Sequence, residues 1–247
     1  MVFKISDKAE STKANSWVRF YSTDFHSTCK PTLMITYRNN NGLESYWDYT
    51  SASAGRAGAV SVNDYTGNLV ISRTDMAYSG NRMPANISFT YNANDTGNNI
   101  GYGNGWRSNY SQSVTPVTIG DKNYYCWTDG DGTRIYFCQS GGVWIDENGL
   151  SYTLTISTSS RTIQDRDGNQ LVFDDNGRLT QVIDGKISAN KIQISYLRDD
   201  TTLNIHTVTD GAGTLWRLYR RKAQSAFEQF PATGYRNQLA VYPELLQ

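Results

Sequence analysis

The sequence predicts an all-β protein of antiparallel sheets and hairpin repeats, and three observations lead there. The 247-residue chain is 13% aromatic and carries 17 tyrosines, a composition that suits pleated strands better than helices. Apolar residues recur at every second position. The cleanest case has Leu150, Tyr152, Leu154 and Ile156 alternating with Ser151, Thr153, Thr155 and Ser157, which gives one apolar and one polar face. Five turns share the form Asp-x-x-Gly, running from Asp129 to Gly132, Asp146 to Gly149, Asp165 to Gly168, Asp174 to Gly177 and Asp210 to Gly213.

Residues 1–38 hold two alternating stretches, Trp17-Arg19-Tyr21 against Val18-Phe20 and Leu33-Ile35-Tyr37 against Met34-Thr36, with Pro31 between them. So few strands cannot bury both faces, so the segment reads as a partial β-sandwich, its closing strands only. Residues 39–58 are polar and rich in Gly and Ser, and read as a linker. Their aromatic residues Tyr46, Trp47 and Tyr49 are either a sugar-stacking platform or a patch that packs on a neighbouring domain.

From residue 59 to 213 strand signals come at short intervals. Ile87, Phe89 and Tyr91 alternate with Ser88 and Thr90; Ile192, Ile194 and Tyr196 repeat the pattern, as do Leu203, Ile205 and Thr207. The glycines of the five turns lie 17, 19, 9 and 36 residues apart, intervals near multiples of one strand plus one turn. An Asp that accepts backbone N–H bonds and a Gly that takes φ > 0 are what a hairpin corner needs. Successive hairpins then bury each other's apolar faces, as in a repeat protein. Residues 214–247 are basic and lose both the corners and the alternation. They are expected to form a short helix around residues 220–230 or to stay disordered, as though the reading frame had changed.

Charge is balanced at 23 basic and 23 acidic residues, so no net field draws nucleic acid or anionic lipid. No apolar run approaches the ~20 residues of a membrane helix, and the opening MVFKISDKAE lacks the apolar core of a secretory signal. Neither a nucleic-acid partner nor membrane insertion is expected. Cys29, Cys126 and Cys138 lack the spacing of a zinc site. Cys126 and Cys138 flank the first Asp-x-x-Gly turn, and their direct opposition requires paired numbers that sum to 264. A type I′ turn at Asp131-Gly132 gives 263 instead. Reduced thiols are the default and a disulfide the alternative.

The acidic turns invite a calcium reading. With Gly168 at the sixth position of an EF-type loop, Asp165, Asp167 and Asp174 fall on ligand positions, but Ile163 occupies the first. Turn aspartates are the simpler reading. His26 and His206 sit in no nucleophile or metal spacing; His206 is placed on one strand face with Asn204 and Val208, opposite Leu203 and Ile205. Glu10, Glu44, Glu147, Glu228 and Glu244 fall in loops, linker or tail, not in a rigid cleft for paired-carboxylate chemistry. Trp106, Trp127 and Trp144 read as packing residues. The residues thus predict no catalytic site, no metal and no cofactor.

Residues 89–110 resemble the entry signature of Rhs/YD-repeat proteins, with Tyr91-Asn92, Gly103-Asn104-Gly105-Trp106 and Tyr110 in order. Upstream, Val62-Asn63, Thr66-Gly67-Asn68-Leu69 and Gly80-Asn81-Arg82-Met83-Pro84 look like the segment that precedes it in wall-associated members. Downstream, DGDGTRIYF and FDDNGRLTQV look like early YD-type repeats. The stretch RFYSTDF…PTLMITY resembles, more weakly, the end of a DNRLRE-type jelly-roll module. The resemblance implies a β-shell that wraps a C-terminal toxin or effector in a secreted or cell-wall-associated protein. It implies a non-catalytic scaffold fragment, not an enzyme, whose partners are cell-wall glycan or the rest of its own shell. The alternative is a self-contained carbohydrate-binding β-sandwich that uses Tyr46, Trp47 and Trp106.

Overall fold

The structure, a computed structural model, describes residues 42–77, 82–197, 203–220 and 239–244. The chain divides into two units, residues 1–39 and 40–247. The sandwich strands expected within residues 1–38, with His26, Cys29 and Pro31, lie outside the described residues.

Among the described residues the fold is all-β, with two antiparallel sheets. The first has five strands in sequence order: β1 (Tyr49–Ser53), β2 (Ala59–Asn63), β3 (Leu69–Ala77), β4 (Asn86–Asn92) and β5 (Trp106–Ser108). The second has twelve. It begins with β6 (Ser113–Ile119), β7 (Lys122–Thr128), β8 (Arg134–Ser140), β9 (Val143–Asp146), β10 (Thr153–Ile156) and β11 (Ser160–Gln164). It continues through β12 (Gln170–Asp174), β13 (Leu179–Ile183), β14 (Lys191–Tyr196), β15 (Ile205–Thr209), β16 (Leu215–Arg220) and β17 (Leu239–Glu244). Within each sheet every strand pairs with its neighbour in sequence, so short turns set nearly every register and the contacts are local.

Alternation places the core. Leu154, Ile163, Leu171, Val182 and Ile192 face one another across five consecutive strands, and Ile194, Val208 and Trp216 continue the pattern across three. Ile87 and Phe89 of β4 join the same cluster as Phe137, Phe173 and Leu179, so both sheets share one core. Each such side chain contributes about 1.5–3 kcal/mol by leaving water.

Several expectations are corrected. The supposed linker of residues 39–58 contains β1, which pairs with β2. Its Ser and Ala residues bury almost nothing, so no hydrophobic alternation marked it, and the strand is held by backbone pairing and a Ser51–Ser61 hydroxyl contact of 2.8 Å. The tail likewise contains β16 and β17. Trp216 and Leu218 are buried on the inner face of β16, an alternation hidden in the sequence by the arginines between and after them. Residues 221–238, where most of the expected helix falls, lie outside the described residues.

At His206 the register of β15 slips against β14. The extra residue turns both Ile205 and Val208 inward, where they are buried, so His206 and Val208 do not share a face opposite Ile205. Between β7 and β8, Thr128 faces Arg134 and Cys126 faces Tyr136. Cys126 and Cys138 are therefore diagonal rather than opposite, and neither is in a disulfide.

Candidate functional site

In a meander the hairpin corners fall alternately on two rims of the sheet. On the first rim lie the corners that join β7 to β8, β9 to β10, β11 to β12, β13 to β14 and β15 to β16. They open on Asp129, Asp146, Asp165, Asp184 and Asp210 respectively. Four of these belong to the Asp-x-x-Gly set; Asp184 has no glycine three residues on and was missed. The fifth motif, Asp174 to Gly177, stands on the opposite rim.

The corner chemistry repeats closely. Oδ1 of Asp129 accepts the N–H groups of Asp131 and Thr133 at 3.0 Å. Asp165 does the same with Asp167 and Asn169 at 2.9 Å, and Asp210 with Ala212 and Thr214. Each turn closes from the glycine N–H to the aspartate carbonyl, with φ of 97° at Gly132, 87° at Gly168, 81° at Gly177 and 89° at Gly213. The Asp146 corner is wider. Its carboxylate accepts from Leu150 and Tyr152, and besides Gly149 (φ 73°) it needs Ser151 at φ 67°. The Asp165 carboxylate is thus spent on turn geometry, and Asp174 sits on the other rim rather than beside it.

The Asp174 corner has a further task. Val114 N–H donates to the Gly177 carbonyl at 2.8 Å and Leu179 N–H to the Gln112 carbonyl at 3.2 Å, and Ser113 bridges Arg178. The long sheet therefore curls until the start of β6 meets the β12–β13 corner. Ser113 lies at the first-rim end of β6, whereas the corner belongs to the second rim. The sheet consequently returns displaced along the strand direction by about one strand, roughly 20 Å, as a spiral rather than a ring. A Cβ at Gly177 would overlap the Val114 carbonyl and the Arg161 guanidinium. Arg161 stitches this seam, donating to the Val114 carbonyl and, at 3.0 Å, to the Asp175 carbonyl. Arg178 is gripped by Asp174 at 2.9 Å and lies 4.5 Å over the Tyr196 ring. Tyr196 donates to the Leu179 carbonyl at 2.9 Å, and burial pushes its phenol well up.

The Asp129 corner is a second junction, where the two sheets meet. Arg107 of β5 donates to the Asp129 carbonyl at 2.9 Å and pairs with Asp95 at 3.7 Å, both side chains nearly out of solvent; Arg134 approaches Asp95 at 3.9 Å. Leu43 N–H donates to Asp131 at 3.0 Å. Gly42 lies so close that a Cβ would overlap Thr133 and Asp131. Glu44, expected in an open linker, is buried and accepts from Tyr49 at 3.1 Å.

Burial raises the Glu44 carboxyl and raises the enclosed Asp129 carboxyl well above the usual range, helped by the adjacent Asp131. Burial also acts to raise Asp131, but hydrogen bonds from Asp129, Thr133 and Leu43 outweigh it and hold this carboxyl low. Burial lowers the Arg107 guanidinium, against the pull of Asp95. One proton shared between Asp129 and Asp131 accounts for the opposite directions of that pair.

The aromatic candidates separate. Trp47 packs on Tyr46 at 5.7 Å and on Tyr65 at 5.2 Å, whereas Trp106 packs on Tyr91 at 5.4 Å and against the core. Tyr65, 83% exposed, is the third member of the Tyr46–Trp47 patch. Only its distant place in the sequence concealed it.

Residues 60–137, which include Asp95, Arg107 and the Asp129 corner, match the family model described as Domain of unknown function (DUF6531), a domain found in YD/Rhs-type proteins. The chain is also 27% identical over 150 residues to the tRNA3(Ser)-specific nuclease WapA of Bacillus spizizenii. To the tRNA nuclease WapA of Bacillus subtilis strain 168 it is 26% identical over the same length. Either match covers 60% of this chain and 6% of the relative, so the chain spans a small fraction of these proteins. These names overturn the expectation of a protein without enzymatic activity: the relatives are nucleases, though the identity is low and partial.

Proposed function

We propose that this chain is a wall segment of a large, secreted or wall-associated YD-repeat protein related to the WapA tRNA nucleases. The five-stranded sheet plugs the core at the place where the twelve-stranded sheet begins to wind. The observation that carries this reading is the seam: a sheet that returns on itself displaced by one strand encloses space and can be prolonged by further hairpins. In the whole protein the activity is tRNA cleavage, and this segment holds and shields the part that cleaves. Its partner is the rest of its own shell.

The test uses the full-length protein. Limited proteolysis should leave residues 113–197 intact, and Gly177→Val, which forces the seam apart, should expose the interior to protease and change the rate of tRNA cleavage. Absence of tRNA cleavage before and after proteolysis would sink the nuclease reading. Unchanged protease access in Gly177→Val would sink the shell reading.

A second reading keeps one observation of its own, the patch in which exposed Tyr46 and Tyr65 flank the half-buried Trp47. Flat aromatic rings stack on sugar faces, so this patch would bind a neutral glycan. Titration of cell-wall glycan against tryptophan fluorescence should then saturate, and Trp47→Ala should abolish the response; a flat titration rejects it.

A further inference from the structure

The four sheet edges differ in how they are guarded. The β6 edge carries Pro116, and the seam corner covers its start. The β17 edge carries Pro243. The β5 edge is only three residues long, and Asn109 extends its pairing with β4 by a single bond to Ser88. Proline, shortness and cover are the usual protections against strand addition. Among the described residues the β1 edge has none of them. Tyr49–Ser53 reads YTSAS, with no proline, lysine or bulge, and its last four side chains are exposed. Among the described residues no strand lies on its far side.

The direction of its free backbone groups follows from the pairing. Asp64 N–H donates to the Asp48 carbonyl at 3.1 Å and Ala54 N–H to the Gly58 carbonyl at 2.8 Å. Even-numbered residues of this hairpin therefore exchange bonds with β2, and the N–H and C=O groups of Tyr49, Ser51 and Ser53 point outward. These three outward positions are symmetric about Ser51. Two such edges laid antiparallel put Ser51 opposite Ser51, and Tyr49 opposite Ser53, each as a narrow hydrogen-bonded pair. Apart from Tyr49, which meets the small Ser53, the side chains that meet are small, and the Ser51–Ser61 hydroxyl pair continues across the axis on one face. Charge agrees as well. In this register Asp48 of one copy stands opposite Ala54 of the other. The acidic end formed by Asp48 and Asp64 then meets the turn that bears Arg56, and the two-fold axis repeats the pairing.

We infer that the β1 edge is an interface for a second copy of this chain, joined antiparallel through Tyr49–Ser53 into one continuous ten-stranded sheet, five strands from each copy. This interface is independent of the spiral seam and goes beyond the shell reading. A single strand pair buries little area, so association is weak and depends on concentration.

Sedimentation velocity of the full chain from low micromolar to near-millimolar concentration should show a reversible dimer that weakens as salt rises. Amide exchange at Tyr49, Ser51 and Ser53 should slow as the dimer fills. Ser51→Pro removes an N–H that β2 does not use. The β1–β2 pairing and the thermal melt should persist while association weakens by about tenfold or more. Asp48→Arg and Arg56→Asp should each weaken the dimer, and the double variant should restore it. These exposed swaps decide the matter even if Ser51→Pro perturbs the strand. A monomer at every concentration would overturn the inference. So would a dimer indifferent to Ser51→Pro, or one that the double swap fails to restore.

Discussion

The Asp129 and Asp165 corners are nearly the same object in two settings. Both belong to one rim, both read Asp-x-Asp-Gly, and both carboxylates accept the N–H groups two and four residues on at about the same distance. Yet their acidities move in opposite directions. At Asp165 the hydrogen bond from the Asn169 side chain does most to lower the carboxyl. At Asp129 burial raises it well above the ordinary range. The turn is a property of a few adjacent residues. What the turn then does depends on what arrives from elsewhere, here Leu43, Arg107 and Gly42, against only solvent and the adjacent Gly185 corner at Asp165. The Asp174 corner teaches the same lesson on the other rim, where its turn becomes half of a seam.

The largest expected effect comes from emptying the buried side of this comparison. Arg107→Ala leaves Asp95 enclosed and removes the donor to the Asp129 carbonyl, and should cost about 3–5 kcal/mol. Arg134, more exposed and 3.9 Å from the same carboxylate, should cost under about 1 kcal/mol when truncated. Chemical denaturation of both variants checks this. Equal losses would mean that the junction at Asp129 is not the buried centre the geometry describes.

Glycine substitutions sharpen the same contrast. Gly168 and Gly177 have nearly equal positive φ, so alanine brings a similar backbone strain of about 1–2 kcal/mol to each. A Cβ at Gly168 would meet only Gly185 atoms at 3.6 Å and the Gln164 amide at 3.8 Å, whereas at Gly177 it would strike the Val114 carbonyl. Gly177→Ala should therefore cost at least about 1–3 kcal/mol more than Gly168→Ala, the range for overpacking. Hydrogen exchange at Val114 should accelerate in Gly177→Ala alone. If both variants lost equal stability, with Val114 still protected, the seam would not be a load on that corner.

Much of this was legible in the sequence because it is local. The alternation from Leu150 to Ile156, the corners and their glycines all lie within reach of one hairpin, and a meander adds nothing that requires distant pairing. What escaped was of two kinds. Strand β1 carries Ser and Ala where a buried face would have shown Val or Ile, and in β16 the arginines beside Trp216 and Leu218 obscure a buried face that is present. The junction and the seam join residues far apart: Leu43 to Asp131 spans 88 positions and Arg161 to Val114 spans 47. A Glu44 that reads as linker carboxylate is buried only because Tyr49 and Gly42 close over it.

The smallest effect discriminates best, because its sign differs between the two corners. A carboxyl raised on folding stabilises fully below its unfolded value, about 3.9 for Asp, and loses that contribution as pH rises through the folded value. Asp129 is of this kind. A carboxyl lowered on folding contributes above its unfolded value and loses it as pH falls through the folded one; Asp165 is of this kind. Asn keeps the acceptor of either turn and does not titrate. At Asp129 its amide also keeps a donor toward Asp131. Measured as melting temperature relative to the parent, Asp129→Asn should improve from acid to neutral pH, because the parent pays for ionising Asp129 and the variant does not. Asp165→Asn should be worst at neutral pH and approach the parent in acid. Glu44→Gln should follow Asp129→Asn, since Glu44 is also raised by burial. Difference curves of the same slope for Asp129 and Asp165 would show that the two corners share one environment, and the division between joined and open corners would fail.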